Sequence, residues 1–240
     1  MSDNGDLEKL KQILKFIKRN NAIFMDPKNN YNFPYYEQTP LMRAASNGHV
    51  HVCEYLIVHQ SAIIDRRDPF QKTALMWASI HNQTEVIRLL LDHKANIKAQ
   101  DDSGGHAAYF AAREGNFEVI KLLVEKDETV VNLKGVFGHT PLIAASCNGS
   151  IEVCKYLVTE KRADVNIQAY DGSTALHWSV IHSWYAIVDI LMSNGAKQLK
   201  NGRHKLPLAY AREYNDQKMI DKLEKKVKTR SKSLRRCKLL

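Results

Sequence analysis

The sequence predicts an all-α fold, a solenoid of stacked helix-turn-helix repeats joined by short turn or β-hairpin fingers. Three observations predict it. A tripeptide recurs at a nearly constant interval, an apolar set recurs in register with it, and a helix-breaking residue separates the two. A period of this length is typical of architectures in which each repeat buries its apolar face only against its neighbours.

The recurring tripeptide predicts the start of the first helix in each repeat. Its first positions are separated by 34, 33, 34, 34 and 32 residues. Threonine can cap a helix, and proline is pre-organised for the first helical turn. The third and sixth copies are degenerate, and a degenerate last copy is expected because a terminal repeat serves as a cap. The copies are Thr39-Pro40-Leu41, Thr73-Ala74-Leu75, His106-Ala107-Ala108, Thr140-Pro141-Leu142, Thr174-Ala175-Leu176 and Leu206-Pro207-Leu208.

A second helix is predicted in each repeat from apolar residues that share one helical face. The sets are Val52/Cys53/Leu56, Val86/Ile87/Leu90, Val119/Ile120/Leu123, Val153/Cys154/Leu157, Ile187/Val188/Leu191 and Met219/Ile220/Leu223. Between the two helices stands a residue suited to a left-handed backbone: Gly48, Asn82, Gly115, Gly149, Ser183 or Asn215.

These copies resemble the ankyrin-repeat family. Thr174-Ala175-Leu176-His177 and Ala163-Asp164-Val165-Asn166 match the family pattern most closely. The resemblance covers roughly residues 39–225, with repeats starting near 39, 73, 106, 140, 174 and 206. Residues 1–38 are interpreted as a degenerate N-terminal capping helix with a long loop, and residues 226–240 as a basic, disordered tail.

Composition and motifs argue against catalysis. The sequence has no glycine-rich phosphate loop and no G-x-S-x-G motif, so we predict no catalytic residues and no cofactor. The cysteines lack zinc-site spacing, so no metal is expected, and Cys53 and Cys154 are interpreted as small buried hydrophobes. Asp101 and Asp102 are interpreted as solvated finger residues, and His177 as a residue that supports the turn through a local hydrogen bond. With no apolar run of membrane-spanning length and no signal-peptide pattern, the expected location is cytoplasmic.

The ankyrin resemblance implies a protein-binding surface made of finger tips and the first helices beside them. Four of six tips carry aromatic residues, and exposed aromatics at one register indicate a contact surface. The alternative is that each ring packs on the next finger. The predicted tip contacts are Tyr35, Tyr36, Phe70, Phe137 and Tyr170.

The fifth position of each first helix extends this predicted surface. It is occupied by Arg43, Trp77, Phe110, Ala144, Trp178 and Tyr210. The alternative is a half-buried position that needs only a large apolar side chain, and this suits Phe110 and Tyr210. The two tryptophans are the better candidates for partner contact, because each has a polar N–H to satisfy.

The end of the sequence carries a second pattern. Of the formal net charge of +9, residues 222–240 contribute +8 from nine Lys or Arg and one Glu, which leaves about +1 for residues 1–221. Cys237-Lys238-Leu239-Leu240 fits a prenylation motif directly downstream of a polybasic stretch, although Lys238 occupies a position at which the motif prefers an aliphatic residue. Lipid and charge together would hold the chain at the cytosolic face of a membrane, and phosphorylation of Ser231 or Ser233 would weaken the charge contribution. A nuclear-import or nucleic-acid arm, or an unspecific solvated terminus, are the alternatives.

The function predicted from these features is a non-enzymatic adaptor or scaffold that binds another protein, with no small-molecule substrate, and that a prenylated tail can tether to an anionic membrane. One alternative is a substrate-recruiting module related to ankyrin-bearing palmitoyltransferases, although the sequence has no Asp-His-His-Cys motif. Another is a nuclear or nucleic-acid-associated regulator that uses the basic tail. Asn166 occupies a place that is hydroxylated in some family members, and the simpler interpretation is a turn asparagine.

Overall fold

The computed structural model describes residues 38–59 and 62–224, together with Lys15. The described part is helical and contains no strand, which confirms the all-α prediction. Apart from Lys15 and Gln38, the predicted capping helix and loop of residues 1–38, with the tips Tyr35 and Tyr36, lie outside it. So do the tail residues Ser231, Ser233 and Cys237. The α-helices are α1 (Pro40–Ser46), α2 (Val50–His59), α3 (Ala74–Ile80), α4 (Thr84–Asp92), α5 (Ala107–Glu114), α6 (Phe117–Lys126), α7 (Pro141–Asn148), α8 (Ile151–Lys155), α9 (Ala175–Ile181), α10 (Tyr185–Ser193) and α11 (Pro207–Glu213), and residues 217–224 are also helical.

Each first helix begins where the tripeptide predicts, and side-chain caps explain why. Thr39, Thr73 and Thr140 each accept a hydrogen bond from the backbone N–H three residues later. Such a cap satisfies one of the N–H groups that a helix start leaves without an intrahelical partner. In the third repeat, His106 replaces the threonine, and its Nδ1 accepts from the N–H of Tyr109 at 3.3 Å. A histidine therefore caps a helix start that looked degenerate in the sequence.

The six residues predicted to separate the helices all have a left-handed backbone, with φ between +53° and +75°. Glycine is needed at Gly149 for a second reason. A Cβ added there would lie 2.6 Å from ring carbons of Trp184, the first residue after the equivalent turn of the next repeat. The close approach of the two turns therefore depends on the missing side chain.

The chain divides into two compact units. Unit 1 comprises the described residues up to Ala111 together with Glu118–Asp127, and unit 2 comprises Ala112–Phe117 and the described residues from Glu128 onward. In unit 1, α1 packs on α2 and α3, and α4 packs on α2 and α3. In unit 2, α9 packs on α7, α10 and α11, and α8 packs on α7 and α10.

Apolar side chains on the predicted faces form the core of each unit. The largest fully buried residues of unit 1 are Met42, Leu75, Met76, Ile87, Leu90, Ile120 and Leu123, and those of unit 2 are Leu142, Ile143, Leu157, Leu176 and Ile187. Cys53 and Cys154 are completely buried, as predicted, and burial raises the pKa of both thiols to about 12. These thiols are therefore packing groups with little thiolate at neutral pH.

His177 couples the start of α9 to the next finger. Its Nδ1 accepts from the backbone N–H of Thr174 at 3.0 Å, and its Nε2 lies 3.2 Å from the carbonyl oxygen of Lys205. The side chain is completely buried. Desolvation lowers the pKa of His177 below its ordinary value of 6.5, against opposing contributions from the Lys205 carbonyl and Asp171. The predicted role of His177 in supporting the turn is confirmed.

This histidine is expected to make the protein sensitive to mild acid. Below pH 6.5 the His177 side chain of the unfolded chain takes up a proton, whereas the buried imidazole of the folded chain resists protonation. The free energy of unfolding should therefore fall as the pH drops from the pKa of the unfolded state towards the lower pKa of the folded state. Urea unfolding between pH 7.5 and 5 measures the slope. His177→Gln should reduce the slope, and replacement of the exposed His51 by glutamine controls for the loss of an imidazole. An unchanged slope in His177→Gln would contradict the assignment.

Candidate functional site

In the described part of the chain, five finger turns with the same backbone geometry connect successive repeats. In each, the N–H of the first residue donates to the carbonyl four residues later, and the N–H of the fourth residue donates back to the first carbonyl, all at 2.8–3.0 Å. The fourth residue is left-handed in every turn. The first residues are Asp68, Asp101, Gly135, Ala169 and Asn201. The fingers are turns rather than hairpin strands.

A polar side chain at the first turn position braces three of the five fingers. Oδ1 of Asp68, Asp101 and Asn201 accepts hydrogen bonds from the backbone N–H groups two and four residues later, at 2.7–3.1 Å. All three side chains are buried. The prediction of a solvated Asp101 is therefore wrong, because its carboxylate caps its own turn and its Oδ2 pairs with Lys72 Nζ at 2.9 Å. The neighbouring Asp102 is exposed.

Nine residues after each first turn position stands the fifth-position residue of the next helix. Trp77 donates its indole N–H to Asp68 Oδ2 at 2.9 Å. At the same spacing, Asn201 Nδ2 donates to the hydroxyl of Tyr210 at 2.8 Å. In these two fingers, one side-chain hydrogen bond therefore joins the turn to the next helix, because the two residues supply a donor and an acceptor.

The match fails at Trp178. The residue nine positions earlier is Ala169, which offers no side-chain acceptor. Within the described residues, Trp178 Nε1 is buried and has no hydrogen-bond partner. A buried donor without a partner loses its hydration without compensation, and this costs roughly 1–3 kcal/mol.

Trp178 belongs to a row of rings in unit 2, which we call the aromatic row and define as Phe137, His139, Trp178 and His182. Neighbouring ring centroids lie 6.3, 5.7 and 6.1 Å apart, the first two pairs edge to face and the last pair stacked. The row runs from a finger tip to His182, the residue that follows α9. Burial lowers the pKa of His139, and the nearby Asp171 opposes this shift.

Two finger tips of unit 2 expose large rings side by side. The exposed fraction is 72% for Phe137 and 76% for Tyr170. The backbone N–H of Tyr170 donates to the carbonyl of Phe137 at 3.0 Å, so adjacent fingers are joined at the tips. Tyr170 lies across Gly138, where an added Cβ would come within 2.7 Å of its ring, and Lys134 Nζ lies 5.6 Å from the ring centroid.

The backbone of Phe137 is strained. Its φ of +55° and ψ of +19° are left-handed, in addition to the left-handed Gly138 that follows. In the other four fingers only the fourth turn position has a positive φ. A bulky residue in this conformation costs on the order of 1–3 kcal/mol, and such strain is concentrated at functional sites.

The aromatic tip residue of unit 1, Phe70, is more enclosed than Phe137 and Tyr170. Phe70 is 41% exposed, and Lys72 Nζ lies 5.5 Å from the ring centroids of both Phe70 and Phe110. Trp77 is half-buried and stacks on His81 with centroids 6.0 Å apart. The indole N–H that made Trp77 a candidate is already bound to Asp68.

The structure separates the predicted contact residues by exposure. Phe70, Phe137 and Tyr170 are exposed, and Arg43, Trp77 and Trp178 are half-buried. Phe110 and Tyr210 are 2% and 8% exposed, and this removes both from the contact surface. Phe110 packs against Gly105, and Tyr210 is held by Asn201 and lies edge to face with His177 at 6.3 Å.

Asn166 joins two repeats, because its Oδ1 accepts from the N–H of Lys197 and its Nδ2 donates to the Gly195 carbonyl.

Sequence reasoning missed the side chains that connect the aromatic positions. His139 and His182 were not singled out, although each lies within four residues of a predicted contact. Asp68 was missed as well. The spacing of nine residues, which separates Asp68 from Trp77 and Asn201 from Tyr210, was the signal in the sequence for these hydrogen-bonded pairs.

The described residues do not include a candidate metal site. They contain no cluster of three or more His, Cys, Asp or Glu side chains that could hold a metal ion. Nor does any helix among them combine the length and apolar character that crossing a membrane requires. What the surface offers is a set of rings on a rigid scaffold, an arrangement suited to recognition.

Comparison with family models assigns the class. Residues 1–101 and 94–169 match the model described as ankyrin repeats (3 copies), and residues 138–202 match ankyrin repeats (many copies). The chain belongs to the ankyrin-repeat family and carries a protein–protein interaction module.

Individual relatives are similar over part of their length. Mouse inversin is 32% identical over 175 residues, which is 72% of this chain and 16% of inversin. The ankyrin repeat protein FPV022 of fowlpox virus is 27% identical over 192 residues, 80% of this chain and 31% of that protein. The ankyrin repeat domain-containing protein SAT10 of Stachybotrys chartarum is 35% identical over 88 residues, 37% of this chain and 4% of that protein. The chain therefore spans less than a third of the length of each of these relatives.

Proposed function

We propose that the chain is a non-enzymatic adaptor that binds a partner protein through the finger tips and aromatic row of unit 2. One observation carries the proposal: Phe137 and Tyr170 expose most of their ring surface on adjacent tips. Large exposed rings on a folded protein are costly in water and are typical of the centres of protein interfaces.

Rigidity supports the same interpretation. The two tips are joined by the Tyr170 N–H bond to the Phe137 carbonyl, and Gly202 N–H continues the series by donating to the Asp171 carbonyl at 2.7 Å. A ring held on a fixed backbone loses little conformational entropy when a partner covers it, so more of the contact energy is available for affinity.

Affinity capture from cells with quantitative mass spectrometry tests this function. The variant Phe137→Ala/Tyr170→Ala should lose specific partners that the wild-type chain captures. Tyr214→Ala is the matched control, because Tyr214 is an exposed aromatic (56%) outside the finger register. Equal capture by the double variant, or equal loss in the control, would contradict the proposal.

We also propose that the basic tail tethers this module to a membrane. The support is in the sequence: nine Lys or Arg in residues 222–240 and the Cys237-Lys238-Leu239-Leu240 motif. When Leu240 is the carboxyl terminus of the mature chain, one prenyl group and the basic stretch supply the two weak attractions that stable anchoring requires. Each Lys or Arg near an anionic leaflet contributes about 1 kcal/mol.

Cell fractionation of the wild-type chain and Cys237→Ser tests the tether. The substitution should move the protein from the membrane fraction to the cytosol and remove the mass of a prenyl group. An unchanged intact mass would rule out the lipid. Accumulation of both forms in the nucleus would favour the nuclear alternative for the tail.

A further inference from the structure

We propose that the partner presents an acidic peptide segment to unit 2, and that one of its carboxylates accepts the hydrogen bond of Trp178 Nε1. The inference rests on the proposed function and specifies the chemistry of the partner. Three independent features of unit 2 lead to it, namely the indole N–H, the strained tip and the charge of the fingers.

The indole N–H identifies the acceptor. The same turn occurs in unit 1, where Asp68 supplies a carboxylate to Trp77 Nε1 at 2.9 Å. In unit 2 the corresponding position is Ala169, and Trp178 Nε1 has no partner among the described residues. Since a carboxylate satisfies the indole in one turn, a carboxylate from outside the chain can satisfy it in the other.

The strained tip lies in the same row. Phe137 contacts His139 edge to face, and His139 contacts Trp178 in the same way. Nε1 is buried in the free protein, so the proposed contact requires the half-buried Trp178 ring to turn its N–H towards the partner. The free protein thus carries two unfavourable features in one row, a left-handed Phe137 and an unsatisfied indole. A partner that covers this row can satisfy the indole N–H, while the left-handed backbone of Phe137 holds the tip ring in place beside it.

The charge of the fingers favours an acidic partner. Residues 132–139, 164–173 and 197–205 contain five Lys or Arg and two Asp. The two Asp residues are Asp164 and Asp171. Asp171 accepts from the N–H and hydroxyl of Ser173 and keeps its negative charge, so the formal net charge of these ranges is +3. Four of the five cations are exposed: Lys134, Lys197, Lys200 and Arg203. Such an excess of positive charge attracts an acidic segment and speeds its encounter with the surface.

A random dodecapeptide library displayed on phage, selected on the purified full chain, is the probe. Selected peptides should be enriched in Asp or Glu. In a synthetic copy of a selected peptide, the Glu proposed to accept from Trp178 Nε1 is replaced by Gln. This change should lower the affinity of the peptide about 10- to 100-fold, the effect of one hydrogen bond to a charged group. Trp178→Phe should lower the affinity of the Glu peptide by a similar factor. It should leave the affinity of the Gln peptide nearly unchanged.

Substitutions at Ala169 provide a matched pair. Ala169→Asp places the missing carboxylate inside the protein, so it should raise the stability of the fold and reduce binding of the Glu peptide at least tenfold. Ala169→Asn is close in size but should present an amide N–H to the indole, as Asn201 does to Tyr210, and should retain binding. In a Trp178→Phe background, Ala169→Asp should have little further effect. A similar loss in both backgrounds would indicate charge repulsion and overturn the indole contact.

The remaining outcomes also decide the matter. Selected peptides without acidic residues, no selected peptides, or acidic peptides that bind Ala169→Asp normally would overturn the inference. A twelve-nucleotide oligouridylate that binds wild type and loses binding in Trp178→Phe would assign the row to nucleic acid instead. If selected peptides lose binding in Phe137→Ala/Tyr170→Ala but contain no acidic residue, the proposed function stands and only the acidic partner is wrong.

Discussion

Replacing Asp68 by alanine is expected to lower the free energy of unfolding by about 3 kcal/mol, because buried hydrogen bonds to a charged group are costly to lose. The carboxylate is 4% exposed and accepts from the N–H groups of Phe70 and Lys72 and from Trp77 Nε1, all at 2.8–2.9 Å. Its removal leaves three donors without their acceptor. Urea unfolding followed by circular dichroism and by tryptophan fluorescence measures the change.

Two further variants separate the contributions of this carboxylate. Asp68→Asn should retain the two turn bonds, as Asn201 does, and lose only the indole bond, so its effect should be smaller. Asp102→Ala removes an exposed carboxylate one finger later and should change stability little. A loss in Asp68→Ala no larger than that in Asp102→Ala would show that the buried carboxylate does not brace the finger.

Replacing Phe137 by glycine is expected to stabilise the fold while weakening partner binding. Glycine accepts the φ of +55° without strain, and after its own entropic cost the net gain should be about 1 kcal/mol. The lost ring should lower affinity for a selected peptide or captured partner by more than tenfold, as for an aromatic residue at an interface centre. Thermal unfolding and titration calorimetry give the two quantities.

Phe137→Ala separates strain from ring contact. Alanine loses the ring but keeps a Cβ, so the left-handed backbone stays unfavourable and little stability should be gained. Both variants should bind weakly, and only the glycine variant should be more stable than wild type. If glycine lowers stability, the conformation of Phe137 is not a source of strain. If both variants bind normally, the tip is not part of the interface.

Much of the fold was accessible from the sequence, because it depends on local chemistry. Helix starts follow from threonine and proline at one register, and the left-handed residues from Gly48 to Asn215 end the first helices. The burial of Cys53 and Cys154 followed from their place in an apolar set. Each inference required only neighbours within a few residues along the chain.

The candidate surface was accessible only in outline. Phe110 and Trp178 share a register in the sequence, yet Phe110 is 2% exposed and Trp178 is half-buried. The difference arises from residues on the fingers, such as Gly105, whose missing side chain admits the Phe110 ring. Register alone identifies which positions face the fingers. It does not identify which side chains the fingers cover.

The repeat period and its capping residues by themselves determined the architecture of this protein, because helix starts and turns are set by nearby backbone and side-chain hydrogen bonds. The tertiary structure decided which aromatic residues remain available. Trp77 and Trp178 occupy equivalent positions. Only the fold shows that Asp68 satisfies one indole, whereas the other, with Ala169 in the corresponding place, has no partner among the residues that the structure describes. Exposure and hydrogen bonding depend on contacts across space, and the spacing of residues along the chain does not specify them.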